Sequence, residues 1–284
     1  MTISCDDCRD IPKVQSAGAR ISKQGANWQV MFNGLEVAYG GYYGEWMAEI
    51  ICRLQGHHEP QEELVFHRVL ERLGPGSTMI ELGCFWAFYS LWFTRSISQS
   101  RVVLAEPDPT HLELAKVNFS HNGLTEFATF SQACAGFDRQ YSIHLESEDE
   151  IQSVQGKSVA TLMDENDLEY LDILHADVQG AECDVLESIY DDNLADKIRF
   201  VFVSTHHHLI SGDPLTHERC LHQLSSMGAH IICEHTVEES FSGDGLIVAS
   251  LNDSDEGFVV PVSRNRASSS LFRPLGYDLA DCYR

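Results

Sequence analysis

Residues Ser77–Asp108 read STMIELGCFWAFYSLWFTRSISQSRVVLAEPD, and the fold turns on how this stretch is parsed. Met79 and Ile80 lead to a carboxylate at Glu81, then Leu82 and a glycine at Gly83. A long apolar segment follows, and a second short run, Val102–Ala105, ends on another carboxylate, Glu106. Strand, glycine turn, helix, strand and acid within about thirty residues form the nucleotide-binding half of a doubly wound sheet. The turn must bring backbone close to a ligand, which suits a residue without Cβ at Gly83. Glu106 falls where a ribose would lie, and a carboxylate there accepts hydrogen bonds from both sugar hydroxyls.

A dinucleotide site needs G-x-G-x-x-G, because a pyrophosphate rests on backbone at the helix N-terminus. Here Phe85 and Phe88 stand in the places of the second and third glycines, leaving little room for a pyrophosphate. The pattern is instead E-x-G-x-x-x-A, with Ala87 as the second small residue. It resembles motif I of S-adenosylmethionine-dependent methyltransferases, usually [DE]-x-G-x-x-x-G. Alanine keeps a small side chain at that position but gives up the freedom to take positive φ.

Outward from this stretch, strand and helix patterns alternate. Before it, Trp28–Phe32 and Leu35–Tyr39 flank Asn33-Gly34, a hairpin signal. Glu45–Leu54 and Gln61–Leu73 read as helices, the second ended by Gly74-Pro75-Gly76. Residues 1 to about 25 lack apolar periodicity and read as an irregular lead-in. After Glu106, a helix opens at Pro107-Asp108-Pro109 and closes at Asn122-Gly123. A strand is expected over Thr129–Cys134, a hairpin-like excursion at Tyr141–Leu145, and an exposed polar loop over Glu146–Lys157. Leu171–Ala176 is a strand ending at Asp177, Gly180 makes a turn, and Ala181–Ile189 returns as a helix. Arg199–Ser204 is a strand that ends in Thr205-His206-His207-His208. A helix over Leu215–Gly228 and strands over His230–His235 and Gly245–Ser250 complete the pattern. The expected fold is α/β, a Rossmann-like doubly wound and mostly parallel seven-stranded sheet, with a small N-terminal hairpin and helix module. The expected divisions are 1–60 for that module, 61–262 for the cofactor domain and 263–284 for a tail.

The 284 residues carry 43 acids against 19 Lys and Arg, a formal charge of −24. Such a surface repels phosphate backbones and anionic lipid, so nucleic acid and membrane are not expected partners. A small-molecule acceptor is. The opening MTISCDDCRDIPKV is polar and acidic and lacks the features of a secretory signal. Nine cysteines without a regular framework read as reduced thiols, which places the chain in the cytoplasm. Cys5-x-x-Cys8 is a single pair, and its spacing to Cys52, His57 and His58 gives no support for zinc, so no metal is expected. The aromatic residues between Trp28 and Tyr43 would cover an acceptor pocket or form a homodimer interface.

The most specific text is Leu171-Asp-Ile-Leu-His-Ala-Asp177-Val-Gln-Gly180-Ala-Glu182. It resembles the hallmark of the FkbM family of methyltransferases, D-[LF]-[LI]-K-x-D-[VI]-[EQ]-G-x-E. Thr161-Leu162-Met163-Asp164 and Glu81-x-Gly83…Tyr89-Ser90 resemble further segments of that family, and the likeness spans roughly Glu62–Ser250. His175 replaces the common Lys, and Phe85 and Ala87 replace the usual Asn and Gly. The resemblance implies S-adenosylmethionine as cofactor, held by Glu81, Gly83, Cys84, Phe85, Ala87, Tyr89, Ser90, Glu106, Pro107 and Asp177. It also implies methyl transfer to a hydroxyl of a small molecule, sugar or natural product.

A hydroxyl acceptor needs a proton acceptor, and the candidates at strand ends are His206, His207 and Asp177. In one arrangement a histidine takes the proton directly, with a rate that rises through about pH 6.5. In the other, Asp177 and a histidine hold a divalent metal; a carboxylate with two imidazoles lacks the oxygen-rich set magnesium prefers, which favours the first. Two rivals from other classes are a nicotinamide oxidoreductase, which should carry the glycine-rich loop absent here, and a non-catalytic binding protein on the same fold.

Overall fold

The computed structural model describes residues 1–147 and 150–265; most of the sequence-defined tail lies outside them. A single helical turn at Thr2–Ser4 precedes a lead-in without helix or strand that runs to residue 19. β1 (Arg20–Lys23), β2 (Ala26–Val30) and β3 (Glu36–Ala38) form a small antiparallel sheet in that order. β1 falls within the stretch read as irregular, because its text, RISK, is short and mostly exposed. The hairpin around Asn33-Gly34 is present, with Val30 opposite Glu36 as its last pair.

α1 (Glu45–Arg53) and α2 (Pro60–Leu70) follow, the second opening on a proline whose missing N–H costs nothing in the first turn. The main sheet then begins with β4 (Thr78–Leu82), α3 (Phe88–Ser96), β5 (Arg101–Ala105), α4 (Pro109–His121) and β6 (Ala128–Ser131). An excursion of β7 (Cys134–Ala135), β8 (Gln140–Leu145) and β9 (Glu150–Lys157) makes a third small sheet. The chain returns through α5 (Val159–Glu165), β10 (Leu171–Ala176), α6 (Glu182–Asp191) and β11 (Ile198–Thr205). It finishes with α7 (His208–Ser211), α8 (Thr216–Ser226), β12 (His230–His235) and β13 (Gly245–Ser250).

The seven strands of the main sheet run in the order β12-β13-β11-β10-β4-β5-β6. β11, β10, β4, β5 and β6 are parallel, and β13 enters antiparallel between β11 and β12. This is the doubly wound, mostly parallel sheet expected from the alternation of patterns. Parallel strands covered on both faces read as continuous apolar runs, as Phe200–Val203 does. One face packs Met79, Leu104, Ile173 and Phe202 against Phe66, Phe88, Trp92 and Phe119. The other packs Ile80, Val103, Leu174 and Val201 against Leu162, Leu186 and Leu224. The period of two along each strand sends neighbours to opposite cores.

Two readings change. The polar text taken as a loop over Glu146–Lys157 contains β9, paired antiparallel with β8 from Gln140–Gln155 to Leu145–Glu150. This ribbon is largely exposed, so it carries little of the apolar alternation by which strands are recognised. The N-terminal module shares its core with the sheet domain: Met31, Phe32, Leu35 and Val37 are buried in the cluster that holds Phe88 and Trp92. Trp28 stacks on His121 at 3.4 Å, and the Ala38 N–H donates to Asn118 Oδ1 at 2.8 Å. Most of the hairpin's apolar residues are thus interior. No helix among the described residues is long and apolar enough to cross a membrane.

Candidate active site

The carboxyl ends of β4, β5, β10 and β11 converge on one edge of the sheet, where open α/β sheets hold their ligands. Gly83 turns the chain away from β4 with φ +73°, and a Cβ there would stand 1.7 Å from the Asp177 carbonyl oxygen. Any side chain would push the end of β10 away. The same turn is tied to β5 by the Gly83 and Cys84 N–H groups, which share the Ala105 carbonyl at 2.9 and 3.3 Å. Phe85 and Ala87 also take positive φ, at 42° and 62°. Alanine at 87 therefore does adopt the left-handed conformation it was expected to forgo, and a fully buried, tightly packed surrounding holds it there.

Glu106 is held by its neighbours. Its two oxygens accept the Phe85 and Asp108 N–H groups at 3.0 and 2.9 Å. Burial pushes its carboxyl up to about 7, against the lowering effect of those donors. Each oxygen keeps a lone pair, so the two acceptors suit a pair of vicinal hydroxyls such as those of a ribose. Phe85 stacks on His111 at 3.7 Å beside it. Glu81 accepts the Ser90 N–H at 3.1 Å and is likewise raised to about 7 by burial, in spite of His175 and that bond. S-adenosylmethionine would find here a buried carboxylate at Glu106 able to accept from a diol and flat ring surfaces at Phe85 and His111. Cys84 and Tyr89 are buried, with the Tyr89 hydroxyl donating to Glu59 at 3.0 Å. The Pro107 carbonyl accepts from Gln132 at 3.3 Å.

At the end of β11, the His206 side chain is 3% exposed and surrounded by three carboxylates. Its Nδ1 lies 2.6 Å from Glu182 Oε1; its Nε2 lies 3.2 Å from Asp177 Oδ1 and 3.6 Å from Asp244 Oδ1. Burial alone would lower its pKa, but Asp244, Asp177 and Glu182 together raise it well above the usual histidine range. Asp244 is raised to about 7, by burial and by Asp177, with His206 opposing. His207 is placed differently. Its Nδ1 accepts the Leu209 N–H at 3.3 Å and so caps α7.

A second carboxylate–imidazole pair lies beneath the cleft. Glu62 reaches from α2 to His175 Nε2 at 2.6 Å and accepts the Ser204 hydroxyl at 3.1 Å. Over the cleft lies the turn after β3. Tyr42 stacks on Trp86 at 4.6 Å, Tyr43 meets the edge of Phe85 at 5.3 Å, and Gln179 Nε2 donates to the Tyr43 hydroxyl at 3.3 Å.

The structure thus brings Glu81, Gly83, Phe85, Glu106, Asp177 and His206 to one edge and assigns His207 a capping bond. Sequence reasoning does not single out Asp244, which stands between Gly243 and Gly245 just ahead of β13. It also missed Glu62, whose signal was a charge set into the apolar stripe of α2. Glu182, the last residue of the Leu171–Glu182 text, accepts the Gly180 N–H at 3.0 Å and also orients His206.

The sequence model of a family described as "Methyltransferase FkbM domain" matches residues 85–231, just over half of the chain. No curated protein matches. Among solved structures, an FkbM methyltransferase from Methylobacillus flagellatus KT is 16% identical with a TM-score of 0.45, covering 63% of this chain and 44% of that one. A precorrin-6y C5,15-methyltransferase from Geobacter metallireducens GS-15 is 13% identical with a TM-score of 0.43, covering 66% and 87%. TrmK of M. capricolum, solved with S-adenosylhomocysteine, is 14% identical with a TM-score of 0.41, covering 66% and 68%.

Proposed function

The chain belongs to the FkbM family of S-adenosylmethionine-dependent methyltransferases, and on that premise we propose that its acceptor is a hydroxyl oxygen on a small molecule. The observation that carries this reading is the placement of Asp177, His206 and Asp244 beside the Gly83 turn. When bound, S-adenosylmethionine supplies an already activated methyl group. The chain then has to align an acceptor oxygen, exclude water from it and take its proton.

Asp177 and Asp244 each keep about a third of the side chain exposed, 32% in both cases, whereas His206 behind them is almost closed off. An acceptor hydroxyl therefore meets carboxylates first. An imidazole held as imidazolium has no free lone pair, so direct proton abstraction by His206 gives way to abstraction by a carboxylate. Asp244, with its raised pKa, is the better matched base near neutral pH. His206 offsets the charge of the two aspartates and fixes where they point. The formal charge of −24 disfavours a nucleic-acid acceptor on the same electrostatic grounds as before. Tyr43 and Phe85 narrow the approach to Glu106, which supports a covering role for the turn that carries them.

The pH dependence of turnover tests this assignment. With a hydroxylated acceptor found by screening, the rate should rise through a group near 7, and Asp244→Asn should flatten that limb and cost about 10²–10⁴ in kcat. An Asp244→Asn enzyme with the wild-type profile would remove the carboxylate base. A chain that binds S-adenosylhomocysteine but methylates nothing in the screen would favour a binding protein on this fold.

A further inference from the structure

A cluster of donor atoms stands apart from the cleft. Cys8, His57 and Glu63 each place one ligand-type atom within 4.8 Å of the others, and all three residues are buried. Their exposures are 4%, 1% and 0%, so this is not a chance grouping of surface polar groups. They come from three separate segments: the irregular lead-in, the turn after α1 and the first half of α2.

Ordinary pairing accounts for part of the arrangement. Glu63 Oε1 accepts the His58 and Glu59 N–H groups at 2.7 and 3.1 Å, which caps the start of α2, and Glu63 Oε2 contacts His57 Nδ1. His57 stacks on Phe32 at 4.2 Å, and its Nε2 is buried without a hydrogen-bond partner among the described residues. The thiol of Cys8 donates to the Pro60 carbonyl at 3.1 Å. A cap and an ion pair do not require a sulfur atom beside them. One thiolate, one imidazole and one carboxylate are donor types that zinc takes, and they would fill three of its four tetrahedral positions.

Sequence spacing offers Cys5, Cys52, His57 and His58 as partners of Cys8. Folding selects differently: Cys52 is exposed, His58 is held between Glu59 through Nε2 at 3.1 Å and Glu63 Oε1 through Nδ1 at 2.8 Å, and α2 contributes Glu63 instead. We propose that Cys8, His57 and Glu63 bind a zinc ion that fastens the N-terminal lead-in to α2 and the core beneath it. The lead-in has no helix or strand between Ser4 and Arg20, so a metal tie there would stabilise the segment that carries β1 into place.

The test uses the full chain. Protein purified from zinc-supplemented culture should carry stoichiometric zinc by plasma mass spectrometry. Cys8→Ser should bind zinc roughly tenfold or more weakly, and Cys52→Ser should be unchanged. Replacing zinc by cobalt should give a near-ultraviolet thiolate-to-cobalt charge-transfer band, absent from Cys8→Ser. Uptake of neither metal by the folded wild-type chain overturns the proposal, as does a folded Cys8→Ser with the wild-type cobalt spectrum. If Cys8→Ser does not fold, the wild-type cobalt spectrum decides: a thiolate band supports the site, and its absence overturns it.

Discussion

His206 Nδ1 donates to Glu182 Oε1 at 2.6 Å, and that bond decides which ring nitrogen faces the cleft. Nε2 is left toward Asp177 and Asp244, while the adjacent His207 is turned to cap α7. The two histidines should therefore separate under mutation. His206→Ala removes the counter-charge between two aspartates and should cost about 10²–10⁴ in kcat with S-adenosylhomocysteine binding retained. His207→Ala should leave kcat within a few fold and cost about 1 kcal/mol of stability through the lost cap. Steady-state kinetics and urea denaturation of both variants check this; equal losses of turnover would contradict the division of roles.

The buried titratable groups set the sign of the pH dependence of stability. Burial lowers His175, but Glu62 outweighs it and raises the pKa to about 9; His206 is raised in the same sense. Their contributions are fully present below the unfolded histidine value, about 6.5, and are lost as pH rises through the folded values. Glu81, Glu106 and Asp244 are held near 7, above the 4.5 and 3.8 of ordinary carboxyls. Between those values and 7 the native chain binds more protons than the unfolded one, so stability again falls as pH rises. Urea midpoints should be higher near about pH 6 than near about pH 9. A midpoint that rises over this range would contradict these protonation states.

His175 and Glu62 form a buried pair across α2 and β10, and the neighbours in register with His175 are Glu81 and Phe202. His175→Ala strands a buried carboxylate and should destabilise the fold by about 3–5 kcal/mol. His175→Lys restores a cation and should recover most of that loss, which the denaturation midpoints of the two variants measure. Recovery by Leu instead of Lys would show that packing, not charge, governs the site.

Much of this was legible before folding. The βαβ text from Met79 to Glu106 names both acids and the glycine that the turn needs, because close backbone approach demands a residue without Cβ and strand ends demand polar groups. The segment from Leu171 to Glu182 likewise puts Asp177 just past the end of β10 and Glu182 at the start of α6. Asp244 could not be seen, since its approach to His206 depends on β13 entering antiparallel beside β11, a pairing no local pattern encodes. Ala87 in the left-handed region is also invisible locally, because tertiary packing overrides the conformational preference of one residue. The N-terminal hairpin was recognised as a hairpin, but its burial was not. Met31, Phe32 and Leu35 alternate no more strongly than those of an exposed ribbon would, and the partners that bury them are distant in sequence, as Phe88 and Trp92 of α3 are for Phe32.

Titration calorimetry with S-adenosylhomocysteine and with NAD, on the wild type and on Glu106→Ala, tests the central assignment most directly. The Gly83 turn and the Glu106 carboxylate predict binding of S-adenosylhomocysteine to the wild type and none of NAD. Glu106→Ala should weaken that binding by about 1–3 kcal/mol, the loss expected when a charged hydrogen-bond acceptor is removed. Binding of NAD in place of S-adenosylhomocysteine, or full affinity in Glu106→Ala, would contradict it.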